Sequence, residues 1–271
     1  MPAMTFKIAT WNINSVRLRI DLVCRFLKEY QPDVLCLQET KCPQGQFPSG
    51  PLHDLGYTHI AESGQKGYHG VAIVSRIPFV NESLRRFCGK EDCRHIAAAV
   101  NPGHPLLIHN FYVPAGGDEP DPLINEKFAH KLQFLDELES WFREGAVPPA
   151  HEAIVVGDLN IAPLEQDVWS HKDLLKVVSH TPIETSGLIR VQKAGNWVDV
   201  MRQHVPPDQK LYTWWSYRAQ DWAQSNRGRR LDHVWTTEGL AGKCSAIDVL
   251  KDARGWPRPS DHVPVIAEFD L

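Results

Sequence analysis

Ala153-Ile154-Val155-Val156-Gly157-Asp158-Leu159-Asn160 is the stretch on which the reading of this chain turns. A short β-branched apolar run closed by Gly reads as a buried strand. The residues just past its end sit where a sheet's edge meets solvent. There Gly157 supplies backbone freedom, and Asp158 and Asn160 point the same way by period-two alternation. The carboxylate can bind a hard cation or take a proton, and the carboxamide, never a base, can hold a water or a substrate oxygen. Alone, the tetrapeptide is more commonly an Asx-rich turn after a core strand, so its neighbours must decide.

Upstream, Phe6 to Ile13 alternates apolar and polar residues and runs into Asn12, Ile13, Asn14 and Ser15, a strand ending in a polar loop. Ser15 is the expected N-cap of a helix over Val16 to Tyr30, with Val16, Ile20, Val23, Phe26 and Leu27 at helical spacing. Asp33 to Gln38 is a second buried strand and delivers Glu39, a second carboxylate at a strand end. Further strands are expected at Val71–Ser75, Arg94–Val100 and Leu106–Phe111, the last presenting Tyr112. The amphipathic helix Asn125–Arg143 leads into the strand that carries Asp158. That makes a strand-helix-strand unit like the one at the start of the chain, and two such halves predict two packed sheets.

Downstream, a helix is expected near Thr185–Lys193 and a strand near Trp197–Met201, with His171 and His180 as surface histidines. Tyr212 to Arg218 interleaves aromatics with hydroxyls and a cation, and Asn226 to Arg230 adds three arginines, a composition suited to sugars, bases and phosphates. Ser260-Asp261-His262-Val263-Pro264 precedes a last strand, Val265–Phe269. A buried Asp such as Asp232 would hold the His262 imidazole and favour its charged form beside a phosphate.

A formal net charge of −4 argues against a protein that coats nucleic acid nonspecifically, while leaving room for a local basic groove. Six cysteines without zinc-type spacing point to reduced thiols, with Cys24 and Cys36 in the core. No apolar run is long enough to span a bilayer, so a cytoplasmic protein without membrane contact is expected.

Eight motifs occur in one order: Trp11-Asn12-Ile13-Asn14-Ser15, Leu37-Gln38-Glu39-Thr40-Lys41, Gly67-Tyr68-His69-Gly70-Val71, Tyr112-Val113-Pro114, Gly157-Asp158-Leu159-Asn160, Thr213-Trp214-Trp215, Arg230-Leu231-Asp232 and Ser260-Asp261-His262-Val263-Pro264. In these the chain resembles the exonuclease III family of apurinic/apyrimidinic endonucleases, within the endonuclease/exonuclease/phosphatase superfamily. The resemblance implies one catalytic domain over residues 1–271, an α/β four-layer sandwich of the deoxyribonuclease I-like kind, with two packed mixed β-sheets flanked by helices.

It also implies roles. Glu39 with Asn12 would hold Mg²⁺ or Mn²⁺, with Asp261 sharing in the site, and the implied ligand set extends to Asp158, Asn160 and His262. Asp158 would activate the attacking water and Asn160 orient it. His262, held by Asp232, would polarise the scissile phosphate, and Tyr112 would contact it or assist the leaving oxygen. Arg17, Lys41 and Tyr68 would touch the DNA backbone. Trp214 and Leu231, with Arg229, would wall a pocket for a flipped-out abasic sugar and reject normal nucleotides by size.

The implied substrate is double-stranded DNA with abasic sites or 3′ ends, cut 5′ to the lesion or trimmed by 3′-5′ exonuclease and 3′ phosphatase action, by a monomer. Ala115 stands where the family usually has Asn, and Asp118 lies in a loop that often carries a cation. A phosphatase or phosphodiesterase of the same superfamily, acting on an inositol phosphate or lipid headgroup, would use the same Glu39, Asp158, Asn160, Asp232 and His262. The Thr-Trp-Trp and Arg-Leu-Asp stretches disfavour it. A non-catalytic damaged-DNA binding protein is disfavoured because every expected chemical position is filled.

Overall fold

The computed structural model describes residues 5–148, 151–219 and 221–271. Its strands in chain order are β1 (Thr5–Asn12), β2 (Val34–Gln38), β3 (His59–Ser63), β4 (Val71–Ser75), β5 (Phe79–Ser83), β6 (His95–Val100) and β7 (Leu106–Tyr112). There follow β8 (Glu152–Asp158), β9 (Val198–Asp199), β10 (Trp214–Trp215), β11 (Gly228–Arg229), β12 (Asp232–Thr236), β13 (Cys244–Val249) and β14 (Val265–Asp270). One sheet has the order β13-β14-β1-β2-β4-β3, the other β5-β6-β7-β8-β12-β9, and β10 pairs with β11 as a small ribbon.

Each sheet has one parallel pair at its centre. The helix Ile20–Tyr30 crosses over between β1 and β2, and the helix Glu126–Arg143 between β7 and β8. A parallel pair needs such a crossover, because a tight turn cannot return the chain to the same end of the sheet. The two-half expectation therefore holds. The crossovers also put the C-terminal ends of all four central strands where the chain leaves each sheet for a loop.

Alternation along the strands sorts side chains into three apolar layers. Ile8, Val34, Cys36 and Ile73 meet Ile108, Ile154, Val156 and Val234 between the sheets. Trp11, Leu35 and Leu37 face outward to Val23 and Phe26 of the first helix, and Val155 faces Phe134, Leu135 and Leu138 of the second. Burial on both faces is why these central strands read as continuous apolar runs. Asn110 of β7 is a polar side chain buried among these layers. Its amide donates to the carbonyls of Leu37 at 3.0 Å and Ala72 at 2.9 Å, and its oxygen accepts from Gln38 at 2.7 Å. A buried carboxamide satisfied from the opposite sheet fixes how the sheets sit on each other just below the strand ends.

Three expectations are corrected. The first helix starts at Ile20, because Asn14 and Ser15 take left-handed φ of 47° and 84° and the N–H groups of Ser15 and Val16 pair with the carbonyls of Glu39 and Thr40 at 2.7 and 3.0 Å. The segment extends the β1–β2 pairing into the loops and does not cap a helix. The strand near Trp197–Met201 is only β9, after which Asp199 accepts from the N–H of Arg202 and caps a short helix, Val200–His204. His180 is buried, with its ring on the carbonyl of Ala162 at 2.6 Å and on His171 at 2.8 Å, so it is no surface histidine. Cys36 is buried as expected, and Cys24 is half-buried. Among the described residues no helix is long and apolar enough to cross a membrane.

Gly157 has φ +136°, and a Cβ there would lie 2.0 Å from the carbonyl oxygen of Phe111 on the neighbouring strand. Gly157→Ala is expected to cost at least about 2 kcal/mol, through strain and a forced opening of the β7–β8 pair. Calorimetry on the purified variant checks this, and a melting temperature equal to wild type would show that the close approach does not matter.

Candidate active site

Register brings the polar strand ends together. Tyr112 of β7 and Asp232 of β12 both lie opposite Asp158, the last residue of β8. Cross-strand partners share a sheet face, so these three side chains emerge side by side. From the other sheet come Asn12 at the end of β1 and Glu39 just past β2. The Asn12 amide donates to Glu39 Oε1 at 3.0 Å and to Asp158 Oδ2 at 2.8 Å, joining the two sheets through one side chain.

His262 enters between β1 and β12. Trp11 Nε1 donates to its carbonyl at 3.1 Å, its N–H donates to Ser260 Oγ at 3.2 Å, and that hydroxyl donates to the carbonyl of Asn12 at 2.6 Å. The ring is then fixed by Asp232, whose Oδ2 lies 2.8 Å from Nδ1, leaving Nε2 3.6 Å from Asp158 Oδ2. Burial alone would drive the imidazole to its neutral form. Asp232 and Asp158 outweigh it and hold the pKa up at about 10.

Asp158 is fully buried, with the charged His262 as its nearest counter-charge. Its Oδ1 accepts from the N–H of Asn160 at 2.9 Å, and its Oδ2 from Asn12 and from Asn160 Nδ2 at 3.1 Å. Burial, with Asp232 and Glu39 adding to it, pushes its pKa up to about 7 against the pull of His262. Glu39 goes the other way. Burial would raise it, but the Lys41 ammonium at 2.9 Å and the Asn12 amide together hold it below the ordinary carboxylate range. Tyr112 is pushed well above the usual phenol value by burial, Glu39 and Asp158, so its hydroxyl keeps its proton and remains a donor.

The backbone around these groups is strained. Asn14, Ser15, Glu39, Lys41, His69 and Asn160 all take left-handed φ between 47° and 84°. Side-chain-bearing residues accept this only where their surroundings over-determine it, as at sites built for a ligand.

Outside this floor opens a cavity of about 720 Å³. Glu39, Asn160, Asp261 and His262 line one side, Trp169, Leu174, Val178, Trp214 and Leu231 supply apolar wall, and Arg218, Arg227 and Arg229 reach its rim. Trp214 Nε1 donates to Asp261 Oδ2 at 2.9 Å while the Arg229 guanidinium lies over its ring at 5.2 Å. Arg227 stands likewise over Trp169 at 4.6 Å. A cavity of this size lies in the range that takes whole small ligands.

The expected site residues sort into groups. Asn12, Glu39, Tyr112, Asp158, Asn160, Asp232, Asp261 and His262 come together. Trp214, Arg229 and Leu231 line the cavity, whereas Arg17 and Tyr68 stand exposed, with the Tyr68 ring edge-on to His69. Lys41 does not project to solvent but sits on Glu39 Oε2 and Asn14 Oδ1. Asn14, which shares a face with Asn12 by alternation, links the acids, taking Lys41 on its oxygen and donating to Asp261 Oδ1 at 3.1 Å. Arg94 lies over the Tyr112 ring at 5.0 Å, and nothing local in the sequence announces it.

Two arrangements have donors for a metal. Asp158, Asp232 and His262 offer ligand atoms within 4.8 Å of one another. An imidazole kept protonated between two carboxylates has no lone pair to give, however. Glu39 and Asp261 offer oxygen only, are bridged by the Lys41–Asn14 pair, and border the open cavity. The Lys41 ammonium on Glu39 and Asn14 marks a place where positive charge is favoured, and all-oxygen donors suit a hard divalent cation.

A model of the endonuclease/exonuclease/phosphatase family matches residues 9–262. The chain is 30% identical over 279 residues to an exodeoxyribonuclease III of Haemophilus influenzae, covering 97% of this chain and 99% of that one. An AP endonuclease from Archaeoglobus fulgidus superposes with a TM-score of 0.88 at 35% identity, covering 98% of this chain and 100% of the other. A 3′ phosphatase from Neisseria, solved with a product DNA hairpin, does so with a TM-score of 0.88 at 32% identity and the same coverage.

The geometry makes Asp232 the group that keeps His262 charged. In Asp232→Asn the His262 pKa, followed by NMR titration of the metal-free protein, is expected to fall by roughly 1–3 pH units from its wild-type position near 10. An unchanged titration would remove Asp232 from that role.

Proposed function

The chain belongs to the endonuclease/exonuclease/phosphatase family, and from that premise we propose that it is a metal-dependent DNA repair hydrolase. Its substrate is double-stranded DNA, cut at the phosphodiester 5′ to an abasic site, or trimmed of nucleotides or phosphate at a 3′ end. The observation that carries this reading is the opposition of Asp158 and the charged His262, 3.6 Å apart, at the floor of a cavity walled by tryptophans and rimmed by arginines. A similar floor would serve any phosphate ester. The aromatic and cationic walls favour a nucleic acid, because indole rings hold sugars and bases while guanidiniums take phosphate oxygens in pairs.

Glu39 and Asp261, with Asn12 beside them, would hold Mg²⁺ or Mn²⁺, and the bound ion would polarise a phosphoryl oxygen and stabilise negative charge on it. The remaining work belongs to the chain. Asp158 takes the proton of the attacking water, a task that suits a carboxylate whose pKa stands near neutrality. Asn160, its Nδ2 fixed on Asp158 Oδ2 and on the carbonyl of Val113, directs that water's approach with its carboxamide oxygen. His262 presents Nε2–H and a full positive charge to the phosphate, and Asp232 keeps both in place as charge builds in the transition state. Tyr112, locked in its protonated form, donates to the phosphate or to the departing 3′ oxygen. Trp214 and Leu231 pack against the sugar, Arg229 braces Trp214, and Arg17 and Tyr68 meet the backbone to either side.

Asp158→Asn is expected to lower turnover on abasic duplex by at least about 10³-fold, since it removes the base and unbalances His262, while leaving the dissociation constant for the same DNA in EDTA within a few-fold. Quenched-flow cleavage and fluorescence anisotropy measure the two quantities. Wild-type turnover in the variant would take Asp158 out of the mechanism.

A further inference from the structure

Lys131 lies on the helix Glu126–Arg143, is fully buried, and takes part in none of the steps above. A buried ammonium costs several kcal/mol to desolvate, and an apolar side chain of similar volume often fills such a site without loss of stability. The charge therefore calls for a reason. All three of its N–H donors have acceptors: the Glu184 carboxylate, the carbonyl of Asn160 at 2.8 Å and the carbonyl of Ala115 at 3.2 Å. Gly116, at φ +92°, makes room for it; a Cβ there would lie 2.9 Å from Lys131 Cδ.

Resting on the hydrolytic reading above, we propose that Lys131 is a positioning residue for catalysis: its ammonium fixes the backbone of Asn160 and so aims the carboxamide that directs the water. Asn160 is the strained residue two positions past the end of β8, with φ +55°. Its N–H is held by Asp158 Oδ1 and its side chain by Val113 and Asp158. Its carbonyl is held by Lys131, which completes the set of contacts that keeps a non-glycine residue left-handed. The second carbonyl, of Ala115, stands three residues past Tyr112, so one ammonium ties together the segments leaving β7 and β8.

Lys131 is itself fixed from behind. Glu184 accepts from the N–H of Ser179 at 2.9 Å, the N–H of Thr181 at 3.1 Å and the Thr181 hydroxyl at 2.6 Å, and so holds still while it neutralises the ammonium. Lys131 touches no substrate. Its effect reaches the reaction through Asn160, where a misplacement on the order of 1 Å can cost about 100-fold in rate.

The test compares Glu184→Gln with the double variant Lys131→Met/Glu184→Gln, in wild-type and Asn160→Ala backgrounds. Glu184→Gln keeps a nitrogen at position 131 that donates to both carbonyls, whether protonated or not, and is expected to retain most of kcat. The double variant removes both charges at nearly constant shape, so it is expected to melt cooperatively and bind abasic duplex in EDTA as wild type does, with kcat lowered at least about tenfold. In Asn160→Ala, where no carboxamide remains to be aimed, the same double change is expected to cost little more. Equal kcat in the two variants, an undiminished loss in the Asn160→Ala background, or loss of cooperative folding in the double variant would each overturn the proposal. Absence of cleavage by the unmutated protein would instead overturn the functional reading on which it rests.

Discussion

The Asn12 carboxamide is the hinge of the molecule's chemistry, because its single amide group holds Glu39 of one sheet and Asp158 of the other. Two carboxylates cannot be brought this close without compensation. Two unit charges about 4 Å apart interact by about 4 kcal/mol at the effective dielectric of a protein surface, and by more where water is excluded. The chain answers with different counter-charges on the two sides. Lys41 lies against Glu39 and keeps it ionised, whereas His262 lies against Asp158, which burial nevertheless leaves near neutral pKa. Environment thereby assigns two similar groups to two tasks, one suited to hold a cation and one to exchange a proton.

The floor that results is rigid for structural reasons. Asn110 pins the sheets together just beneath it, Ser260 and Trp11 clamp the His262 loop to β1, and the Val113 N–H donates to the carbonyl of Asp158 at 2.9 Å. The cavity wall is held by a separate device. Asp167 receives Arg202 and Arg230 in the core, Arg230 also pairs with Asp199, and Arg230 immediately precedes Leu231 and Asp232. A net charge of −4 is compatible with a site for polyanions, since Arg218 and Arg227 remain exposed at the cavity's rim.

The central strands were legible in the sequence because helices cover one face and the opposite sheet the other, which writes an unbroken apolar run. Three of the edge strands were not: β3, β5 and β13 have partly exposed faces and no such run. The fourth, β9, was legible only as a longer strand than its two residues. The same physics divides the site. Glu39, Tyr112 and Asp158 stand at the C-terminal ends of buried strands, where a polar residue after an apolar run is conspicuous, and Asp232 opens one, just before the run. Arg94 and Lys131 act through partners distant in sequence, on an aromatic ring and on backbone carbonyls, and neither leaves a local pattern. Ala115 illustrates the limit: its role here is through its carbonyl, which no side-chain identity reveals.

Hydrolysis of damaged DNA on this floor with the help of a divalent ion is tested by incubating the protein with end-labelled duplex carrying one abasic analogue, in Mg²⁺, Mn²⁺ or EDTA, and resolving the products by length. Cleavage at the lesion is expected in the presence of either metal, and none in EDTA. Intact DNA in all three conditions, with phosphate released from an inositol phosphate by the same preparation, would contradict it.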